Sequence, residues 1–318
     1  GEVTSNGGAE IIVRGLCWNT TGNPSIANSF TTESSGIGIF ISNLTGLTPN
    51  SIYYVRAYAT NSVGTAYGDE VQFTTIDTSE FNCGSQIYDY DSNQYNTVLI
   101  GNQCWMKENL RTEHYADGTA IQIVTSNNTW ANLGDNNTDK AFCYYNNNLN
   151  SEYGALYTWA AAMNGANSTN SSPSYVQGIC PSGWHVPSDN EWKELEIYMG
   201  MNQISVDSSG WRGTNEGGKL KENGITHWIS PNTGATNESG FTALPGGYRH
   251  EMDGSFHNTG IDGFWWSSTE NNNGSAWFRY LYYINSASNR SAYSKSSGYS
   301  VRCIKDTSNL TALSINYL

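Results

Sequence analysis

Six cysteines, Cys17, Cys83, Cys104, Cys143, Cys180 and Cys303, are spread over 318 residues with no C-x-x-C spacing among them. Zinc ribbons and thioredoxin-like dithiols need that spacing to bring two sulfurs to one metal or one redox couple, so both are excluded. Several pairings remain open in principle. The flanking sequence favours two bridges, Cys83–Cys104 around a hairpin and Cys180–Cys303 from the start of a helical region to the last core strand. The second closes a loop of about 120 positions, worth about 4–5 kcal/mol in the chain-entropy model. Cys17, in the alternating run Val13, Gly15, Cys17, and Cys143, in Phe142-Cys143-Tyr144, read as buried free thiols.

A disulfide-bearing chain belongs in an oxidising compartment, and the composition agrees. Charged residues are only 14% and aromatics 13%, with 11 Trp, 21 Tyr and 33 Gly. Disordered chains show the opposite balance. The formal net charge is -13, so nothing neutralises phosphates and nucleic acid is excluded as a partner. No run reaches the roughly 18 apolar residues of a membrane span. Gly1 opens into a polar, strand-like run, so an exported chain would have lost its targeting segment before this numbering starts.

Period-2 patterning dominates residues 1–75. In Ile52–Thr60, Tyr53, Val55 and Ala57 alternate with Tyr54, Arg56 and Tyr58. Leu47, Pro49 and Tyr53 have the spacing of a tyrosine corner, in which a phenol pins the preceding loop. With Gly15-Leu16-Cys17-Trp18 and Tyr54-Val55-Arg56-Ala57-Tyr58-Ala59-Thr60-Asn61, this stretch resembles the fibronectin type III β-sandwich of Bacteroidota surface proteins. Its first strand and most of its second are missing from the pattern, which predicts an open apolar groove lined by Ile12, Leu16, Val55 and Ala57, with a bare edge.

Residues 76–82 read as a linker and 83–306 as one α+β unit. Helical periodicity covers Tyr153–Met163 and Ser188–Met199, the second with a capping box, Ser188 and Glu191. Strands are expected at Phe241–Leu244, Gly263–Ser267, Ala276–Tyr283 and Tyr299–Ile304. Six motifs follow in order: Trp105-Met106-Lys107-Glu108-Asn109-Leu110, Gly183-Trp184-His185-Val186-Pro187-Ser188, Gly217-Gly218-Lys219-Leu220-Lys221-Glu222, Gly240-Phe241-Thr242-Ala243-Leu244-Pro245-Gly246-Gly247-Tyr248-Arg249, Trp265-Trp266-Ser267-Ser268-Thr269-Glu270 and Ser300-Val301-Arg302-Cys303. Together they resemble the Fibrobacter succinogenes major paralogous domain. Helices followed by strands, with a long-range bridge, resemble the C-type-lectin-like fold. The resemblance implies a secreted or cell-surface bacterial protein and says little about chemistry.

Catalytic and metal signatures are weak. His114, His185, His227, His250 and His257 are scattered, and no nucleophile elbow or phosphate loop occurs. The C-type-lectin-like fold includes the formylglycine-generating oxidase, but no second close cysteine pair is available for it. Asp89-x-Asp91-x-Asn93 copies half of a calcium loop without its later Gly and Glu, so a turn is the better reading. The tripeptides of calcium-dependent sugar binding are missing. We therefore expect no enzyme activity, no cofactor and no metal.

Two binding readings remain. Leu313, Ile315 and Tyr317 in the tail 307–318 alternate like a strand, which could fill the groove of a neighbouring copy and build a head-to-tail extracellular filament. The alternative is an adhesin or carbohydrate-binding module using aromatics such as Trp211, Trp228 and Trp265, or Asn-rich loops such as Asn146-Asn147-Asn148.

Overall fold

The structure, a computed structural model, describes residues 1–48, 51–75 and 81–306. Strand exceeds helix, 33% to 11%, which makes the chain mainly β. It divides into two units, one within Gly1–Phe81 and one within Asn82–Thr307.

In the first unit the alternating run Ile52–Thr60 is the central strand. It pairs antiparallel with Val13–Asn19, from Asn19↔Tyr54 to Val13↔Thr60. Thr65–Tyr67 and Val71–Thr74 pair with its other edge. A separate pair joins Glu2–Val3 to Gly38–Ile39. The Tyr53 hydroxyl accepts the Thr48 backbone N–H at 2.9 Å, the bond expected of a tyrosine corner; Pro49 lies outside the described residues.

The groove-lining residues separate by strand parity. Ile12 is 63% exposed while Ile11 enters the core, so Ile12 does not line a groove. Val55 is also unavailable, closed over by Trp18, Leu44, Leu47 and Tyr53. Leu16 and Ala57 are partly buried against Val3, Ile11 and Phe40. The tail residues Leu313, Ile315 and Tyr317 lie outside the described residues.

The second unit is built on two larger sheets. One has the order Thr97–Ile100, Gln103–Met106, Ile304–Lys305, Trp184–His185. The other has six strands in the order Gly210–Arg212, Ser288–Ser294, Ser275–Tyr282, Asp262–Asn272, Gly246–Arg249, Phe256–Thr259. Cys83 is bonded to Cys104 and Cys180 to Cys303, while Cys17 and Cys143 are buried thiols.

Three expected elements come out differently; of Tyr299–Ile304 only Ile304 lies in a strand, while Tyr299 and Ser300 form isolated bridges to Tyr157 and Trp265. Only Trp159–Met163 of the 153–163 stretch is helical. Gly154 takes a left-handed φ of 79°, Ala155–Tyr157 pairs with Ala141–Tyr144, and the Thr158 hydroxyl caps the shortened helix. Phe241–Leu244 is not a strand, because Thr242 sits at φ 55° and its carbonyl, with that of Phe241, turns to the Arg302 guanidinium. The helix Asp189–Tyr198 forms as read, with the reciprocal Ser188–Glu191 capping box.

That helix is fastened to the six-stranded sheet by buried ions. Arg279 reaches Asp189 at 2.7 Å and Glu196 at 3.0 Å. Arg290 grips both Asp189 oxygens, and Arg212 meets Glu196 at 2.8 Å. Burial alone would raise the Asp189 carboxyl, but the two guanidinium groups hold it far below the usual carboxylate range. Removing one partner of such a set strands a charge in the interior, which costs more than the set contributes when whole.

A neutral hub joins the motifs. Asn109 Oδ1 accepts from Trp265 Nε1 and Arg302 Nε, each at 2.8 Å. Its Nδ2 donates to the Tyr153 carbonyl at 2.8 Å and the Ser300 hydroxyl at 3.2 Å. We expect Asn109→Ala to destabilise the second unit by about 3–5 kcal/mol, because a buried guanidinium and an indole N–H lose their acceptor together. Urea denaturation followed by Trp fluorescence measures this, and a loss under about 1 kcal/mol would contradict it.

Candidate functional site

The six-stranded sheet has one face in the core. There Trp265 and Leu281 pack with Trp192 and Leu195 of the helix Asp189–Tyr198. The other face is covered in part by Tyr299, which meets Trp266 at 4.4 Å and Phe278 at 4.9 Å. Trp265 and Trp266 point opposite ways, as adjacent strand residues must, yet both are buried because both faces are covered there.

Beyond Tyr299 an aromatic row crosses the sheet. Strand register sets it: Trp211 lies opposite Asn289, Asn289 opposite Tyr280, Tyr280 opposite Phe264, and Tyr248 opposite His257. Gly247 paired with Gly263 puts Tyr248 beside Phe264. Ring centroids are 4.9 Å apart for Trp211–Tyr280, 4.7 Å for Tyr280–Phe264, 5.0 Å for Phe264–Tyr248 and 5.3 Å for Tyr248–His257. Trp211 is 42% exposed, and Tyr280, Tyr282, Tyr248 and His257 are half-buried. Phe264 itself is buried, and the rings on either side of it leave apolar surface with polar edges partly exposed, of the kind that binding faces use.

Asp262 lies under this row, opposite Tyr282. It is 3% exposed. Asn258 Nδ2 donates to its Oδ2 at 2.5 Å, whereas Oδ1 is buried with no hydrogen-bond partner. Burial pushes its carboxyl up to about 6, with Tyr280 and Asn258 working against the rise. A carboxyl held this way destabilises the fold when ionised, and such groups concentrate at functional sites.

The residues singled out in the sequence fall in different places. Trp211 belongs to the row. Trp228 and Trp265 do not: each is 1% exposed. The Trp228 indole donates to the Ala243 carbonyl and carries the Lys221 ammonium over its ring. That ammonium is caged by the carbonyls of Thr233, Tyr282 and Asn285 at 2.9, 3.1 and 3.0 Å, and burial pushes it down to about 8. Gly217 and Gly218 serve the same packing, since a Cβ on either would stand 2.2 Å from the Ala287 carbonyl or 2.1 Å from that of Gly234. The motif Gly217–Glu222 is thus a packing device. Tyr248 stands in a motif without a binding role assigned to it, and Tyr280 and Tyr282 were not singled out, although the alternation Phe278, Tyr280, Tyr282 was a signal available for them.

The histidines are held structurally or lie at the row's end. His185 is clamped by Glu191 at 2.7 Å and Asp306 at 2.6 Å. Burial would depress it, but those bonds win and lift it to about 9. His227 sits between Glu222 and Glu152. Near His257 the Ser255 hydroxyl bonds both His257 Nε2 and Asp253. The acid therefore touches the serine and not the imidazole, the reverse of the order that activates a serine. Asp91 accepts from Thr112, Glu113 and His114, and Asp89 from Asn93 and Tyr95, so the Asp89–Asn93 segment is a hydrogen-bonded turn. Among the described residues no group of three His, Cys, Asp or Glu is placed to hold a metal ion.

The Asp262 carboxyl binds its proton more tightly folded than unfolded, so the fold loses stability as pH rises from about 4 to about 6, where the penalty is complete. We expect Asp262→Asn to raise stability at pH 7 by about 1–3 kcal/mol and to change it little at pH 4. Denaturation at the two pH values decides this, and equal effects would remove the buried carboxylate as the cause.

No curated protein and no solved structure matches the chain. The model of the Fibrobacter succinogenes major domain matches residues 98–305, a span that takes in both larger sheets, the Asn109 hub and the aromatic row. The chain belongs to the Fibrobacter succinogenes major domain family.

Proposed function

We propose that this chain is a non-catalytic binding module of an exported bacterial surface protein, and that it holds carbohydrate on the aromatic face of the six-stranded sheet. The observation that carries the reading is the row Trp211, Tyr280, Phe264, Tyr248 and His257, in register across the six-stranded sheet. Sugar rings present flat C–H faces that stack on aromatics, and the phenol and imidazole edges supply hydrogen bonds to hydroxyls. Two disulfides fit an oxidising location. No helix among the described residues is long and apolar enough to cross a membrane. In this reading the second unit is C-type-lectin-like and binds without calcium, and the first is a fibronectin type III-like module beside it.

Glycan-array screening followed by titration tests the proposal. We expect Trp211→Ala and Tyr282→Ala each to weaken binding about tenfold, the equivalent of about 1.4 kcal/mol, with little change in melting temperature. No glycan bound, or binding unchanged by both substitutions, would overturn it.

A second reading, assembly by strand exchange, is favoured by one feature of the first unit. Ile37, Ile39 and Ile41 alternate with buried Phe40 and are 63%, 78% and 82% exposed. An apolar stripe beside a two-stranded sheet invites an added strand, for which 307–318 of a second copy has the right alternation. Negative-stain microscopy of the chain beside a version ending at Asp306 separates the outcomes. Fibres from the longer chain alone support assembly, and monomers from both exclude it.

A further inference from the structure

Away from the aromatic face, the loop 134–140 meets the chain just after strand Ser288–Ser294. Asp135 fixes the meeting: its Oδ1 accepts from the Ser296 N–H at 3.0 Å, the Ser296 hydroxyl at 2.7 Å and the Ser294 hydroxyl. Between these anchors lies Lys295, whose residue is 1% exposed. Its Nζ is 2.8 Å from Asn137 Oδ1, 2.5 Å from Glu270 Oε1 and 2.9 Å from the Asn273 carbonyl. The Trp159 ring closes the remaining side at 4.5 Å. The same Glu270 Oε1 also accepts from Asn137 Nδ2 at 3.2 Å. One carboxylate oxygen therefore touches both the amine and the amide nitrogen.

We propose that Lys295 and Asn137 become joined by a side-chain amide bond, formed within the folded chain with Glu270 carrying the proton. The neutral Lys295 amine attacks Asn137 Cγ. Glu270 takes a proton from Nζ and delivers it to Nδ2. The Cγ–Nδ2 bond then breaks and ammonia leaves. One Nζ–Cγ amide forms for each ammonia released, and no oxidant or reductant takes part. The fold supplies the two requirements of such a reaction, reactants held in contact and a positioned acid–base group. A ring on one side and near-complete burial keep water from the nucleophile. The product ties the loop 134–140 covalently to the end of strand Ser288–Ser294, a lock suited to a protein working outside the cell.

The test is the intact mass of the full chain, denatured and with disulfides reduced, followed by tryptic mapping. We expect a mass below the sequence value by one ammonia, and a branched peptide linking the Asn137 and Lys295 segments. Glu270→Gln should keep the circular dichroism of the parent and show the full sequence mass. Asn137→Ala, at the exposed rim of the site, should also show it and serves if the first variant does not fold. Separate Asn137 and Lys295 peptides, after prolonged incubation of the folded chain at alkaline pH, would overturn the proposal. Ammonia loss mapping to a succinimide at another asparagine would do the same. A bond that still forms in Glu270→Gln would remove Glu270 from the mechanism.

Discussion

The side chain of Asn109 ties together segments far apart in sequence, accepting from Trp265 and Arg302 and donating to Tyr153 and Ser300. Arg302, buried and pushed down to about 9 by that burial, takes its other acceptors from the carbonyls of Phe241 and Thr242. An uncompensated guanidinium in the interior is intolerable, so these carbonyls must face it, and the Phe241–Leu244 stretch cannot run as a strand. The geometry of one buried cation thus sets the path of a whole segment. It also fixes Trp265, and through Trp265 the sheet whose outer face carries the aromatic row.

The family motifs divide in a consistent way. Asn109, His185, Ser188, Gly217, Gly218, Lys221, Trp265 and Arg302 all make interior contacts, as hydrogen-bond hubs, caps, close approaches or an ammonium cage. Tyr248 reaches the outer face half-exposed, and Trp266 reaches it buried beneath Tyr299. The recurring sequence specifies a scaffold, and the half-exposed rings at Trp211, Tyr280 and Tyr282 lie outside it.

Electrostatics in the second unit follow from its shortage of charge. The interior holds Asp189, Glu196, Arg279 and Arg212 in mutual contact, and each ion has more than one partner. Lys221 is neutralised by carbonyl dipoles instead of an acid. Asp262 is an acid with one oxygen unpartnered beneath the aromatic row, as Arg212 Nε is in the interior.

Much of this was legible in the residues. The tyrosine corner, the Ser188–Glu191 capping box and the mainly β character are local patterns, set by spacing and turn chemistry within a dozen positions. The bridges Cys83–Cys104 and Cys180–Cys303 were legible as well, since each cysteine sits at the end of a recognisable element. The sequence by itself determined which residues alternate, where helices can start and which motifs travel together. Only the tertiary structure decided that Trp228 and Trp265 are buried while Trp211 is not. Strand parity says that two neighbours point opposite ways, but what covers each face comes from distant segments, the helix Asp189–Tyr198 on one side and Tyr299 on the other. The aromatic row depends on register among six strands, and the meeting of Asn137, Glu270 and Lys295 on a loop, a strand and a strand end far apart in sequence. No local pattern encodes register between strands far apart, because side-chain packing and paired backbone groups fix it only once the chain has closed on itself.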